Sequence, residues 1–239
     1  RTYGLKKFKI GHAGTLDPLA TGLLLVCVGK ATKRIDELQG GEKVYTGTMV
    51  LGATTPCYDL ERAIDYYYPY EHITRELIDN TIGQFLGEVE QVPPIFSAVK
   101  INGQRAYNYA RQTAEGEEAP TPTAKIVKIE EFEISAFRPG TEQPAEFKMS
   151  DPALDEDLSA KPQHHLYDNP LGSVPSHLPE LDFRIRCGKG TYIRSIARDL
   201  GLALESGAFL SALRREQVGE YSVAQSLTLD QIDSFLSQG

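Results

Sequence analysis

The segment that most limits what this chain can fold into is Leu181-Asp182-Phe183-Arg184-Ile185-Arg186-Cys187, where apolar and charged residues alternate without a break. A period of two puts the apolar side chains on one face and the charges on the other, so the segment reads as a half-buried strand. Gly188-Lys189-Gly190 then turns the chain. Ile193, Ile196, Ala197, Leu200 and Leu204 recur at helical spacing, which predicts an amphipathic helix with Thr191 near its start and Gly207 at its end. A strand with one wet face, followed by a helix with one apolar face, implies a sheet with helices packed on its dry side.

Other segments extend this pattern. Lys43 to Leu51 and Ile126 to Phe137 read as strands, the second with Phe132 and Ile134 facing one way. Ile73, Leu77, Ile78, Ile82, Phe85 and Leu86 predict a helix over 74–87 capped by Thr74. The apolar run Leu23 to Val28 reads as a core strand, Leu213-Arg214-Arg215 as a helix end with solvated bases, and Thr228-Leu-Asp-Gln231 as a capping box opening a terminal helix. Together they predict an α+β fold with a mixed, largely antiparallel central sheet flanked by helices.

With 239 residues, 41% of them hydrophobic, the chain can bury a substantial core as one large domain or two small ones. No segment approaches the roughly 20 apolar residues of a membrane span, and no secretory signal pattern is present. The cysteines Cys27, Cys57 and Cys187 form no CxxC pair, and His164 and His165 are adjacent, so buried thiols are expected rather than a metal site or disulfides. A net charge of -8 argues against a nucleic-acid binder, but residues 138–180 hold eight acids against three bases. That segment carries -5 and leaves -3 for everything else, so a basic face elsewhere is allowed. It also holds seven of the fourteen prolines and reads as a long mobile insertion.

Several constellations can carry chemistry. Gly11-His12-Ala13-Gly14-Thr15-Leu16-Asp17-Pro18-Leu19-Ala20-Thr21-Gly22 is a shaped loop with a single carboxylate, which suits either a catalytic Asp17 or an Asx turn before proline. Cys187-Gly-Lys-Gly-Thr-Tyr192-Ile-Arg194 runs a strand through a glycine turn into a helix, an anion cradle in outline but without Walker spacing. The helix dipole disfavours Arg194 in a first turn, so this residue needs an anionic partner or sits solvated. In Pro93 to Arg111, bases and aromatics interleave around Lys100, Arg105, Tyr107 and Arg111. This suits stacking and phosphate contacts, or a plain hairpin turn at Asn102-Gly103 followed by an amphipathic helix. Tyr45 heads the strand that begins Lys43-Val-Tyr45.

These segments, taken in order, resemble the TruB-type tRNA pseudouridine synthases. The resemblance covers most of residues 5–235. It runs through GHAGTLDPLATGLL (11–24), GKATK (29–33), KVY (43–45), LGATT (51–55), PPIFSAVKINGQRAYNYAR (93–111), CGKGTYIRSIARDLG (187–201) and LRR (213–215). The first and sixth are highly specific.

The resemblance implies the pseudouridine synthase fold in one catalytic domain over 1–239 and a cytoplasmic, monomeric enzyme. It implies isomerisation of uridine 55 in the T-loop of tRNA, on a base flipped out of its stack and with no metal or other cofactor. It makes Asp17 the essential residue, acting as nucleophile at C1′ or C6 or as the base for the 2′ proton. Tyr45 would stack on the target base, Tyr192 would lie near the ring and sugar, Arg194 would pair with Asp17, Leu213 would form an apolar wall, and His12 would contact RNA. Lys100, Arg105, Lys189 and Arg214 are further RNA-contact candidates. The chain departs from the family by lacking an opening strand with a Lys-Pro-x-Gly segment and a following PUA domain. It begins at Arg1 rather than Met, so an upstream segment is expected. The competing readings are an RNA-guided synthase of the dyskerin type, an RNA-binding or tRNA-folding protein without catalysis, and a phosphate-handling enzyme built on the Gly188–Gly190 turn.

Overall fold

The structure, a computed structural model, describes residues 9–97, 99–106, 108, 109, 120–142 and 173–237. It opens on a ribbon in which β1 (Ile10–His12) pairs antiparallel with β3 (Val26–Val28), while β2 (Thr21–Gly22) leaves to join a larger sheet. α1 (Ile35–Gly40), β4 (Lys43–Leu51), the pair β5 (Ala53–Thr54) and β6 (Tyr66–Tyr67), and α2 (Arg75–Ile82) follow. After β7 (Gly87–Gln91) come the hairpin β8 (Lys100–Ile101) and β9 (Gln104–Arg105), then β10 (Lys125–Arg138) and β11 (Glu180–Cys187). The chain continues through α3 (Ile193–Ala203), β12 (Ala208–Val218) and β13 (Tyr221–Ser222) to α4 (Leu229–Ser237).

The large sheet has seven strands in the order β13-β12-β4-β11-β10-β7, with β2 also pairing β12. Only the β2–β12 pairing within it is parallel, so the sheet is mixed and largely antiparallel, as expected. The fold is α+β. The alternation in β11 holds strictly: Leu181, Phe183, Ile185 and Cys187 are buried. Asp182, Arg184 and Arg186 face the other way and bond Arg138 and Glu131 of β10. The dry face is covered by α3, which buries Ile193, Ile196, Ala197 and Leu200, and by Ile78 of α2. Each such side chain contributes about 1.5–3 kcal/mol by leaving water.

Several local expectations hold. Thr74 Oγ1 accepts the Leu77 N–H at 3.1 Å and caps α2. Asn102 and Gly103 turn the β8–β9 hairpin with φ of 50° and 85°, the left-handed pair that a two-residue hairpin needs. The capping box at α4 is complete: the Thr228 N–H donates to Gln231 Oε1 at 2.8 Å, and the Gln231 N–H donates to Thr228 Oγ1 at 3.3 Å.

Others are corrected. The helix expected over 74–87 ends at Ile82 and passes through a 3-10 turn, Gly83–Phe85, into β7. Phe85 reaches the core from that turn and meets Phe132 edge-on at 6.2 Å, whereas Leu86 is exposed. The run Leu23–Val28 is not a core strand. Only Val26–Val28 is extended, in a two-stranded ribbon, and Val26 is 56% exposed. α3 ends four residues before Gly207; the left-handed residue after it is Glu205, with φ of 53°. Gly207 answers a need for space instead, since a Cβ there would lie 2.4 Å from the Tyr68 ring. Leu213-Arg214-Arg215 is no helix end but the middle of β12. Most of the expected insertion 138–180 lies outside the described residues; its two ends, Arg138 and Glu180, face each other across the β10–β11 ladder. Tyr107, Arg111, His164 and His165 also lie outside them. Among the described residues, no helix is long and apolar enough to cross a membrane.

Candidate active site

The loop between β1 and β3 is held against the open edge of β12. Thr21 and Gly22 pair in parallel with Arg214 and Arg215, and the Leu23 N–H donates to Arg215 O at 2.8 Å. Gly22 has φ of +98°, and a Cβ on it would lie 2.3 Å from Arg215 O, so only glycine lets the two backbones approach this closely. Inside the loop, the Ala20 N–H donates back to Asp17 O at 2.9 Å and closes a turn.

Opposite it stands the start of α3. Gln91, buried at the end of β7, grips the Tyr192 peptide from both sides: its Oε1 accepts the Tyr192 N–H at 2.8 Å and its Nε2 donates to Tyr192 O at 3.2 Å. This fixes Arg194, whose side chain is 4% exposed. Its Nη2 donates to Asp17 Oδ1 at 2.8 Å and its Nε to Asp17 Oδ2 at 3.0 Å, a two-pronged pair. Its Nη1 donates to Cys57 O at 3.2 Å. The unfavourable first-turn arginine thus has the anionic partner its position demands.

A second carboxylate completes the group. Asp59 Oδ2 lies 3.5 Å from Arg194 Nε, and Asp59 Oδ1 accepts the Glu61 N–H and the Cys57 thiol, each at 2.9 Å. The Thr55 hydroxyl ties the same turn by donating to Asp59 O at 2.7 Å. Asp17, Asp59, Arg194, Leu210 and Leu213 line one cleft.

Two phenols face this group. Burial pushes the Tyr45 hydroxyl pKa up; the positive charge of Arg215 opposes that shift and the Asp17 carboxylate adds to it. Burial also raises the Tyr192 hydroxyl pKa, and Asp17 again adds to the rise. Both rings therefore lie within electrostatic reach of Asp17.

Of the residues singled out from sequence, the structure brings together Asp17, Tyr45, Tyr192, Arg194 and Leu213. His12 is exposed on β1, Lys189 is exposed in the turn before α3, and Lys100 and Arg105 sit directly across from each other on the exposed β8–β9 hairpin. Arg214 is exposed as well. Strand alternation puts it on the opposite sheet face from Leu213 and Arg215, where it pairs with Glu216 at 3.1 Å. Sequence reasoning missed Asp59, Gln91 and the buried state of Arg215. Asp59 and Gln91 belong to no charged or glycine-rich motif, and Arg215 was misread with the helix end.

The arrangement offers an aimed carboxylate beside two phenols and an apolar wall. That is equipment for nucleophilic attack or for taking a proton.

Residues 1–150 match the N-terminal domain of the TruB family pseudouridylate synthases, and residues 194–238 match the tRNA pseudouridylate synthase B C-terminal domain. Over 224 residues the chain is 47% identical to tRNA pseudouridine synthase B of Flavobacterium johnsoniae, covering 94% of this chain and 79% of that protein. It is 36% identical over 229 residues to the protein of that name from Chloroherpeton thalassium, covering 96% and 77%. Among solved structures, a Cbf5-Nop10-Gar1 complex contains a chain of like fold, with a TM-score of 0.54 at 24% identity over 93% of this chain and 44% of that one.

Proposed function

The chain belongs to the TruB family of pseudouridylate synthases and isomerises uridine to pseudouridine in tRNA, and from that premise we propose that it acts on the T-loop uridine at position 55 through Asp17. The observation that carries the assignment of Asp17 is its two-pronged pairing with the buried Arg194 in the cleft that both residues line.

The reaction breaks the N1–C1′ bond, turns the ring and joins C5 to C1′; the C5 proton leaves to solvent and N1 gains one. It changes no oxidation state, so the reading calls for no redox cofactor. Arg194 keeps the carboxylate oriented towards the sugar–base junction, where it can attack C1′ or C6 or take the 2′ proton. Tyr45 and Leu213 hold the detached ring against the sugar, so recombination outruns escape. The target lies inside a folded loop, so the base is flipped out before reaction. Tyr192 lies beside ring and sugar. His12, Lys189, Lys100 and Arg105 are exposed and meet the RNA around the flipped nucleotide. The enzyme works as a monomer in the cytoplasm, where its tRNA is.

The test is tritium release from an unmodified tRNA transcript labelled at uridine C5. Wild type releases tritium; Asp17→Asn releases none and still binds tRNA. Release by Asp17→Asn overturns the assignment of Asp17.

A further inference from the structure

Arg215 heads the fully buried side chains of the described residues, at 2% exposed, although it carries a charge. A buried guanidinium is ordinarily matched by a carboxylate. Here three of the partners are backbone carbonyls: Nε donates to Leu23 O at 2.8 Å, Nη2 to Gly14 O at 3.1 Å and Nη1 to Thr15 O at 3.3 Å, and the guanidinium also meets the Tyr45 hydroxyl. Gly14 and Thr15 lie just before Asp17 and Leu23 lies after it, so one side chain grips the loop on both sides of the carboxylate. The β2–β12 pairing reaches only Thr21 and Gly22; in the first half of the loop the guanidinium ties Gly14 and Thr15 to β12, beside the Ala13–Leu25 backbone bond and the Asp17–Arg194 pair. On its own strand Arg215 stands directly opposite Tyr45 in the ladder.

We propose that Arg215 is a positioning residue: it clamps the 14–23 loop to β12, and so sets Asp17 in register with Tyr45 across the cleft. It does not touch substrate. This rests on the reading of Asp17 as the reacting carboxylate. The fork is what suits arginine to the task, because three carbonyls in different directions need a planar group with several fixed donors, which a lysine lacks. Filling space alone asks for no charge at all, since an apolar side chain of that volume fills a core at least as well.

The experiment compares full-length wild type, Arg215→Lys and Arg215→Met by tritium release from the C5-labelled transcript, with tRNA binding and thermal melting measured in parallel. Both variants are expected to lose about 10²-fold in kcat, as for a misplaced reacting group. KM should stay within about threefold, because the Tyr45 ring that holds the base is carried by β4, which β11 still pairs. Val218→Ala, a buried change on the same strand outside the cleft, is expected to lower the melting temperature while kcat holds. A kcat of Arg215→Lys equal to wild type, or a rise in KM with kcat unchanged, overturns the clamp. Should the Arg215 variants fail to fold, Gly22→Ala asks the same question with Arg215 intact, because its Cβ pries the loop from the strand. Lost kcat at constant KM in that variant supports the proposal, and full kcat overturns it. A wild type that releases no tritium overturns the reading of the site and the clamp with it; a wild type matched by Arg215→Lys overturns the clamp alone.

Discussion

Replacing Arg194 by methionine separates what this residue does for stability from what it does for chemistry. Its guanidinium is shared between Asp17, 34% exposed, and Asp59, 7% exposed. Methionine keeps much of the volume but strands the Asp59 carboxylate in a buried turn. Removing one partner of a buried ion pair costs about 3–5 kcal/mol. Asp17 is partly hydrated without its partner, so the loss should fall at the lower end of that range. For a chain of this size each kcal/mol moves Tm by about 2–4 °C, so a fall on the order of 10 °C follows. The second perturbation is Asp59→Asn. Made in the Arg194→Met background, it removes the stranded charge and should recover about 1–3 kcal/mol relative to additive losses. Urea unfolding of wild type, both single variants and the double variant measures that coupling. Tritium release should behave differently: Arg194→Met loses about 10²-fold, and the double variant does not regain it, because Asp17 is still unaimed. Strictly additive stabilities would refute the shared-guanidinium account. Recovery of activity together with stability would refute the aiming role.

Three further outcomes follow from the packing. Gly47→Ala puts a Cβ 2.3 Å from Ala212 O and 2.9 Å from the Phe183 ring. It should therefore cost about 1–3 kcal/mol in urea unfolding, and wild-type stability would show that β4 and β12 can part at that point. Thr74→Ala removes the cap of α2 and should cost about 1 kcal/mol, with kcat unchanged. Burial pushes the Cys57 thiol up to about 12 and the Cys187 thiol up to about 11. Because the thiolate is the reactive form, iodoacetamide at about pH 8 should leave both unlabelled in the native protein and label them in urea, as read by peptide mass mapping. Native labelling at Cys57 would mean that the turn holding Asp59 opens.

What could be read from sequence was whatever a local rule decides. The alternation in β11, the Thr74 cap, the Asn102-Gly103 turn and the Thr228 capping box each involve neighbours within a few residues, and each appears as expected. Misreadings arose where distant packing outweighed local pattern. Leu23–Val28 looks like core, but Val26 and Val28 on the ribbon it enters are exposed. Leu213-Arg214-Arg215 looks solvated because two adjacent arginines are usually exposed, yet the strand period exposes one and buries the other. The candidate site divides the same way. Asp17, Tyr45, Tyr192 and Arg194 were named through motif resemblance, and the geometry shows why the odd first-turn arginine is there. Asp59 and Gln91 work through contacts spanning more than 100 residues, which no single-chain pattern announces.

The order in which the chain joins itself has a consequence for biosynthesis. β4, which carries Tyr45, lies between β11 and β12, and the loop carrying Asp17 is tied to Arg215 across 192 to 201 positions. While the chain is still being made, neither side of β4 has its partner and the loop has nothing to dock on. Closing so long a span early is entropically uphill, and pairings this distant form late. A polypeptide interrupted before β12 has neither that strand beside β4 nor Arg215 to hold the loop, so its cleft is not assembled. Catalysis switches on only when translation has delivered β12, so turnover certifies that synthesis has passed that point.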